Sequence, residues 1–189
     1  VRKKRNTLKA NAANLDDYYA SLGIILNLND ISSSNSSRAV QLCQKTNQFN
    51  TTARRYDHKR LYELKKDGHE VLVINYEDKF SPPENIGVLV IKYISTSEAI
   101  LDLFLLSCRV LGRGIETVIP NIALEIVAAK GISILSAEIV ETDRNTPARK
   151  VYKEAGFEKS DLDLLWKLEG KKQIVPKWIK YTINGDNSL

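Results

Sequence analysis

The fold of this chain follows from nine residues, Leu106-Ser107-Cys108-Arg109-Val110-Leu111-Gly112-Arg113-Gly114. The apolar residues 99–108 predict a buried central strand, and apolar residues at helical spacing over 115–127 predict a helix after it. A strand that enters a helix through a glycine-containing loop leaves the first free N–H groups of the helix pointing into that loop, where they favour an anion. Two spaced glycines also occur in ordinary tight turns, so the loop alone leaves both interpretations open.

A second segment, residues 145–157, follows a strand predicted over 132–140. It contains, at fixed spacing, Asn145, Ala148, Tyr152, Gly156 and Phe157. Thr146 and Pro147 predict a helix start, with Thr146 as N-cap and Pro147 in the first helical position.

Together the two segments resemble the two signature motifs of the GNAT acyltransferase superfamily. Arg109, Gly112 and Gly114 match the motif [R/Q]-x-x-G-x-[G/A], and the second segment matches N-x-x-A-x-x-x-Y-x-x-x-G-F. The resemblance implies an α/β fold, with a mixed, twisted sheet of about six or seven strands flanked by helices. It also implies that the central strands splay apart to admit a pantetheine arm.

The resemblance further implies a cofactor site for the phosphopantetheine of CoA or of an acyl carrier protein. The residues of this site are Arg109, Val110, Leu111, Gly112, Arg113, Gly114, Asn145 and Tyr152. In the superfamily the loop amides hold the pyrophosphate, the Asn contacts the pantetheine arm, and the Tyr can protonate the leaving thiolate. Acyl transfer from a thioester gains from such a proton donor and needs fixed donors for its oxyanion. Tyr152 equally suits a core position on the inner face of its helix.

A third segment, residues 46–56 with the sequence TNQFNTTARRY, narrows the resemblance to FkbH-like proteins. Residues 106–114 resemble the second signature of that family. The residues that fit its third signature are Glu138, Thr142, Asn145, Pro147, Arg149 and Tyr152. The chain departs from the family pattern at Thr51, Ala53, Pro120, Asp143 and Arg144.

The FkbH-like resemblance implies a two-domain protein. A phosphatase-like domain of the haloacid dehalogenase (HAD) superfamily precedes a GNAT-like domain, and the family is associated with loading a glyceryl unit from a phosphorylated three-carbon donor onto an acyl carrier protein. We therefore expect a linker helix from the HAD-like domain at residues 1–21, the GNAT-like acyltransferase domain at 22–170, and a C-terminal tail at 171–189. The metal-binding Asp motif of the phosphatase half is not in this chain, so we expect no phosphatase chemistry from it.

Three residues are candidates for catalysis: Cys108, Glu138 and Tyr152. Cys108 lies between a strand end and a helix N-terminus, where a thiol can become a nucleophile, although a small buried core position suits it as well. Glu138 falls mid-strand, where a carboxylate is costly unless it is paired or functional. It is interpreted as a general base or as a partner of Arg54 or Arg55, with an exposed strand face as the alternative.

Candidate substrate-binding residues lie in the third segment: Asn47, Gln48, Asn50, Arg54 and Arg55. Their amide and guanidinium groups supply hydrogen-bond donors for a hydroxylated or phosphorylated acyl group. The alternative is a loop whose side chains satisfy its own backbone.

Charge and composition limit the remaining function classes. The net charge is +5, but residues 2–5 carry four positive charges, and a basic end of this kind is typically solvated. The rest of the chain has 24 basic and 23 acidic residues, which disfavours nucleic-acid binding. No stretch approaches the roughly 18 apolar residues that span a bilayer. Cys43, Cys108, His58 and His69 have no metal-binding spacing, so no metal is expected.

We interpret the chain as a cytoplasmic acyltransferase domain that acts with a phosphopantetheine thioester and an acyl carrier protein. The alternative is a non-catalytic module that docks the carrier protein for the HAD-like half. A closed acceptor cleft lined by Glu138 and Arg54 would favour catalysis, whereas an open basic rim would favour docking.

Overall fold

One mixed sheet dominates the computed structural model, which describes residues 2–161, 165–169 and 175–187. Within these residues its strands are β1 (Ile24–Asp30), β2 (Glu70–Asp78), β3 (Ser81–Tyr93), β4 (Glu98–Leu106), β5 (Ile134–Ala137), β6 (Glu158–Lys159), β7 (Trp166–Glu169), β8 (Ile179–Ile183) and β9 (Asp186–Asn187). They lie in the order β6-β7-β5-β4-β3-β2-β1-β8-β9. The pairs β4–β5 and β1–β8 are parallel, and the other neighbours are antiparallel. The predicted α/β fold with a mixed sheet is confirmed.

Helices cover both faces of this sheet. They are α1 (Arg2–Asn11), α2 (Leu15–Leu22), α3 (Ser36–Lys45), α4 (His58–Lys66), α5 (Ile115–Ala128) and α6 (Val151–Glu154). The apolar sides of α2, α5 and α6 bury the larger core on one face, and those of α3 and α4 bury a second core on the other. Side-chain caps fix two of the helix starts: Asn14 accepts the Asp17 N–H at 2.9 Å, and Asp57 accepts the Arg60 N–H at 2.8 Å.

Two predicted boundaries are corrected in the second half of the chain. The strand expected to reach residue 140 ends at Ala137, so Glu138 lies just beyond β5 and not in the middle of a strand. The helix expected to start with Thr146 as N-cap instead begins as a 3-10 turn with Asn145 at the N-cap, and α6 follows at Val151.

The C-terminal residues extend the sheet beyond the expected six or seven strands. Residues 171–189 were expected to be a tail, but the described residues 175–187 include β8, which pairs in parallel with β1 from Ile24 opposite Ile179. Pairing satisfies the backbone groups that β1 would otherwise expose at the sheet edge. Of the strand expected over 162–168, residues 162–164 lie outside the described residues, and β7 covers the end.

The N-terminal residues form two helices, and α1 is attached to the sheet. The Arg5 guanidinium donates to the Asp78 carboxylate at 2.7 Å and to the Ser81 hydroxyl at 2.7 Å. The Arg5 side chain is only 13% exposed, and that of Asp78 is fully buried. The position of Arg5 in a basic run predicted a solvated side chain. This prediction is wrong for Arg5, because its side chain is paired and largely buried.

Candidate functional site

The β4–α5 loop, residues 107–114, has the strand–loop–helix arrangement that its sequence predicts. Cys108, Arg109 and Val110 form a 3-10 turn, and Gly114 is the N-cap of α5. Gly112 and Gly114 adopt φ angles of 76° and 79°, in the left-handed region that other residues enter only with strain. The glycines thus let the chain turn sharply from β4 into the helix.

An acidic side chain from α5 occupies the inside of this loop. The Glu116 carboxylate accepts a hydrogen bond from the Gly112 N–H, and the N–H groups of Gly114 and of Glu116 itself also face it. Burial raises the pKa of Glu116, although these N–H groups and Arg113 act in the opposite direction. The chain's own carboxylate therefore lies where an anionic ligand was expected. An acid in the first turn after a glycine loop was the available sequence signal for this role.

Two cavities flank the loop and share Leu111 and Gly112. The first, which we call the acidic cavity, has a volume of about 490 Å³ and lies between the loop, α2, α5 and α6. Its acidic lining residues are Asp16, Glu116 and Glu154, and no described residue that lines it is Lys or Arg. Aromatic rings close over the loop here, because a Cβ atom on Gly114 would lie 2.9 Å from the Tyr19 ring and 3.0 Å from the Trp178 ring.

The second cavity, which we call the basic cavity, has a volume of about 850 Å³ and lies between α1, the start of β3 and the same loop. Its cationic lining residues are Arg5, Lys9, Arg109 and Arg113. Cys108 also lines it and is exposed, so the predicted nucleophile is accessible there and is not a core residue. The other thiol, Cys43, is buried in the second core, and burial raises its pKa to about 11.

The predicted splay lies between β4 and β5, but another part of the chain fills it. The two strands pair only from Glu98 opposite Ile134 to Leu101 opposite Ala137, whereas β4 continues to Leu106. Residues 49–52, which we call the inserted segment, run along the free edge of β4.

Backbone hydrogen bonds hold the inserted segment on both sides. Thr51 N–H donates to the Phe104 carbonyl at 3.0 Å, and Leu106 N–H donates to the Phe49 carbonyl at 3.0 Å. On the opposite side Val140 N–H donates to the Thr51 carbonyl at 2.9 Å. The segment thus bridges the gap through these hydrogen bonds and an isolated antiparallel bridge between Asn50 and Leu105.

The two motif residues expected to meet the pantetheine arm are both buried. The Asn145 amide donates to the carbonyls of Asn50 at 3.0 Å and Val140 at 2.9 Å, and its oxygen accepts the Thr142 N–H at 2.9 Å. Tyr152 is fully buried, and burial raises its pKa. Thr51 lies near its hydroxyl, yet that oxygen has no hydrogen-bond partner among the described residues.

Most of the predicted substrate-binding side chains stabilise their own loop. Arg55 donates to the carbonyls of Cys43 at 2.6 Å and Thr46 at 2.8 Å and to the Asn47 side chain. Asn50 donates to the Arg54 carbonyl at 3.3 Å, and Gln48 is exposed. A small cavity of about 240 Å³ is lined by Asn47, Asn50 and Arg55 together with residues 142–144. The segment 46–56 therefore lies close to residues of the third FkbH-like signature.

Arg54 and Glu138 form an ion pair of 3.1 Å at the point where β4 and β5 separate. Their side chains are 37% and 39% exposed, so this part of the surface is open and not a closed cleft. Arg54 also donates to the carbonyl of Asp102 at 2.7 Å.

Asp102 is the residue at this point that the sequence did not single out as functional. Asp102 has no paired residue in β3, because the register between β3 and β4 shifts at this position. Its carboxylate is buried and accepts a hydrogen bond from Lys92 at 2.8 Å. Tyr56 donates to the same carboxylate, and burial together with Asp102 raises the pKa of Tyr56. The signal in the sequence was an acid within an apolar strand.

Three groups at the position that the GNAT resemblance implies for a phosphopantetheine arm already have hydrogen-bond partners within the chain. The Gly112 N–H is bonded to Glu116, the free edge of β4 is bonded to the inserted segment, and both amide hydrogens of Asn145 are used.

No family model matches the chain, and no curated protein matches it. Solved structures do resemble it, among them a GNAT family acetyltransferase from Elizabethkingia anophelis with acetyl-CoA bound (11% identity, 78% of this chain and 98% of that chain, TM-score 0.53). Others are Ard1 from Thermoplasma volcanium (18%, 75% and 94%, 0.55) and the ribosomal-protein-S18-alanine N-acetyltransferase from Escherichia coli (11%, 76% and 93%, 0.56). The fold of this chain is therefore the GNAT fold.

None of the helices within the described residues is long and apolar enough to span a membrane.

Proposed function

We propose that this chain is a GNAT-type acyltransferase domain that acts on a phosphopantetheine thioester, carried by an acyl carrier protein or by CoA. The observation that supports this proposal best is the exposed Cys108 thiol at the start of the β4–α5 loop, in the wall of a cavity lined by cationic side chains. An exposed thiol in the wall of a cavity can contact a thioester that enters this cavity, as a nucleophilic cysteine must.

The chemistry available to Cys108 is thioester exchange. Its thiolate attacks the acyl carbonyl, the bond between that carbon and the donor sulfur breaks, and the released thiol takes up the proton. The acyl group then remains on Cys108 until an acceptor thiol reverses the exchange. No oxidant, reductant or metal is needed for either step.

The motif resemblance to FkbH-like proteins supports a more specific form of the proposal. In this form the acyl group is a glyceryl-type unit, the partner is an acyl carrier protein, and a HAD-like domain lies upstream in the same chain. Such a system would work in the cytoplasm, without nucleic acid or a membrane.

A non-catalytic role in docking the carrier protein is the second candidate. Two observations favour it: the open rim with Arg109, whose side chain is 68% exposed, and the surface position of the Arg54–Glu138 pair. In this role the domain would hold the phosphopantetheine arm for the HAD-like half without taking the acyl group.

Incubation with an acylated holo carrier protein tests both candidates. The transferase predicts an acyl adduct on Cys108 in the intact mass spectrum, absent in Cys108→Ala. Docking alone predicts binding by calorimetry without an adduct, and unchanged binding by Cys108→Ala. If neither the acylated carrier protein nor acyl-CoA binds, the proposed function is wrong.

A further inference from the structure

The geometry points to a phosphate-binding site for the phosphopantetheine arm in the basic cavity, on the α1 side of the β4–α5 loop, and not in the splay between β4 and β5. This inference rests on the proposed function and specifies where its substrate binds. Three features of the molecule support this site: the closed splay, the difference in charge between the two sides of the loop, and the excess of cations over carboxylates in the basic cavity.

The splay is closed by groups that belong to the folded core. Phe49 is 2% exposed, and its ring packs edge-on against Phe104 with 5.3 Å between ring centroids. Thr51 is fully buried, and its hydroxyl accepts the Phe104 N–H at 3.3 Å. An arm could enter here only by removing these side chains from the core, which would expose apolar surface to water and break these hydrogen bonds.

The two sides of the loop differ in charge. A phosphate in the acidic cavity would lie among three carboxylates with no cation among the described lining residues. In the basic cavity it would lie among four cationic side chains and one lining carboxylate, Glu84. Because like charges in a partly enclosed site repel and opposite charges attract, the phosphate is favoured on the α1 side.

The cations of the basic cavity exceed the carboxylates that pair with them. Asp78 is shared by Arg5 at 2.7 Å and Arg113 at 3.6 Å. Glu84 is shared by Arg109 and Arg38, both at 3.0 Å.

Lys9 adds a further cation to this excess. It forms no ion pair with any described residue, and its ammonium group lies 5.9 Å from the centroid of the Tyr18 ring. Positive charge therefore remains for a phosphate to neutralise.

The basic cavity also matches the rest of the arm. Its volume of about 850 Å³ lies within the range of small-molecule sites. The Asn6 amide and the Ser81 hydroxyl are polar groups in its wall, and the buried residues Tyr18, Tyr76 and Ile86 lie behind it. Cys108 lines the same cavity, so a thioester that enters here reaches the thiol that the proposed function requires.

Protection of Cys108 from iodoacetamide tests the site directly, because Cys43 is fully buried. The probes are CoA and 4′-phosphopantetheine, with dephosphorylated pantetheine as the comparison. We expect CoA and 4′-phosphopantetheine to slow alkylation of Cys108, and pantetheine to slow it much less. Equal protection by pantetheine, or none by the phosphorylated probes despite binding in calorimetry, would contradict the site.

Charge reversal separates this site from the acidic cavity. Lys9→Glu breaks no ion pair among the described residues and should weaken CoA binding by about tenfold or more. Lys3→Glu makes the same change on the exposed side of α1 and should have little effect. If Glu154→Lys strengthens binding while Lys9→Glu leaves it unchanged, the arm binds in the acidic cavity: this inference then fails although the proposed function stands. If no probe and no holo carrier protein binds, both fail.

Discussion

At the scale of single residues, two buried tyrosines differ in one hydrogen bond. Tyr76 and Tyr152 are 1% and 0% exposed, and the Tyr76 hydroxyl donates to the Asp78 carboxylate. The Tyr152 hydroxyl has no partner among the described residues. A buried hydroxyl without a partner costs free energy, whereas one bonded to a charged group stabilises the fold.

The same substitution should therefore have opposite effects at these two positions. We expect Tyr152→Phe to leave the free energy of unfolding unchanged or to raise it by about 1 kcal/mol, because an unsatisfied polar atom is removed. Tyr76→Phe should lower it by about 1.5–3 kcal/mol. Urea unfolding measures both, and destabilisation by Tyr152→Phe would mean that its hydroxyl is bonded.

Glu116 should make the stability of the loop depend on pH. Its folded pKa is raised above the ordinary value of 4.5, so between the two pKa values the folded state keeps a proton that the unfolded state has lost. Stability from the protonated carboxyl is complete below 4.5 and is lost as the pH rises through the folded pKa.

Glu116→Gln removes this titration but keeps an oxygen that can accept the Gly112 N–H. The difference in free energy of unfolding between variant and wild type should therefore shift in favour of the variant as the pH rises from about 4 to 7. Urea unfolding across this range tests the expectation. A difference that does not change with pH would show that the Glu116 carboxylate is not desolvated inside the loop.

At the scale of elements, the position of the inserted segment is a feature that local sequence patterns do not predict. The sequence predicts β4, its loop and α5 because the apolar period changes from that of a buried strand to that of a helix at residue 115. It did not predict that residues 49–52 join the sheet, because their amide-rich composition fits a ligand-binding loop equally well. Their partners are distant in the chain: the bond between Asn145 and Asn50 spans 95 residues.

The position at which β5 ends also depends on residues that are distant in the chain. The sequence predicts a single strand over residues 132–140, but β4 pairs with β5 only as far as Ala137. Beyond that point the inserted segment, and not β4, accepts the Val140 N–H. The position of Glu138 outside the strand therefore depends on a contact with residues almost 90 positions earlier, which no local pattern contains.

Phe49→Ala should show that the inserted segment is part of the core. The truncation leaves a cavity against Phe104 and should lower the free energy of unfolding by about 3–5 kcal/mol. The Leu106 and Thr51 amides should also lose protection from hydrogen exchange, because both are held by this segment. The exposed neighbour Gln48 provides the control, since Gln48→Ala should change stability by less than about 0.5 kcal/mol. A small effect of Phe49→Ala with unchanged exchange would mean that the splay opens readily.

At the scale of the whole molecule, the distribution of charge differs from what the net charge indicates. In the sequence, residues 2–5 carry four positive charges at an end predicted to be solvated, and the rest of the chain is close to neutral. In the structure Arg5 folds back onto Asp78 and, with Lys9, forms one wall of the basic cavity. The packing of α1 against the sheet thus creates a positive surface that composition could not reveal, since it depends on which acids lie nearby.

The C-terminal residues complete the other end of the sheet, and their removal should destabilise the whole domain. Deletion of residues 175–189 takes away β8, so the backbone groups of β1 lose their parallel partner. It also removes the Trp178 ring, which lies 4.8 Å from that of Tyr19 and closes over Gly114. We expect Tm to fall by about 5–10 °C, which corresponds to the loss of a few kcal/mol in a domain of this size.

The shortened chain should also self-associate, because an unpaired strand edge offers hydrogen bonds to another copy. Calorimetry measures the change in Tm, and light scattering at several protein concentrations measures association. Trp178→Ala alone should reproduce only the part of the Tm change that comes from the ring. An unchanged Tm and a monomeric shortened chain would mean that β8 adds nothing to the stability of the domain.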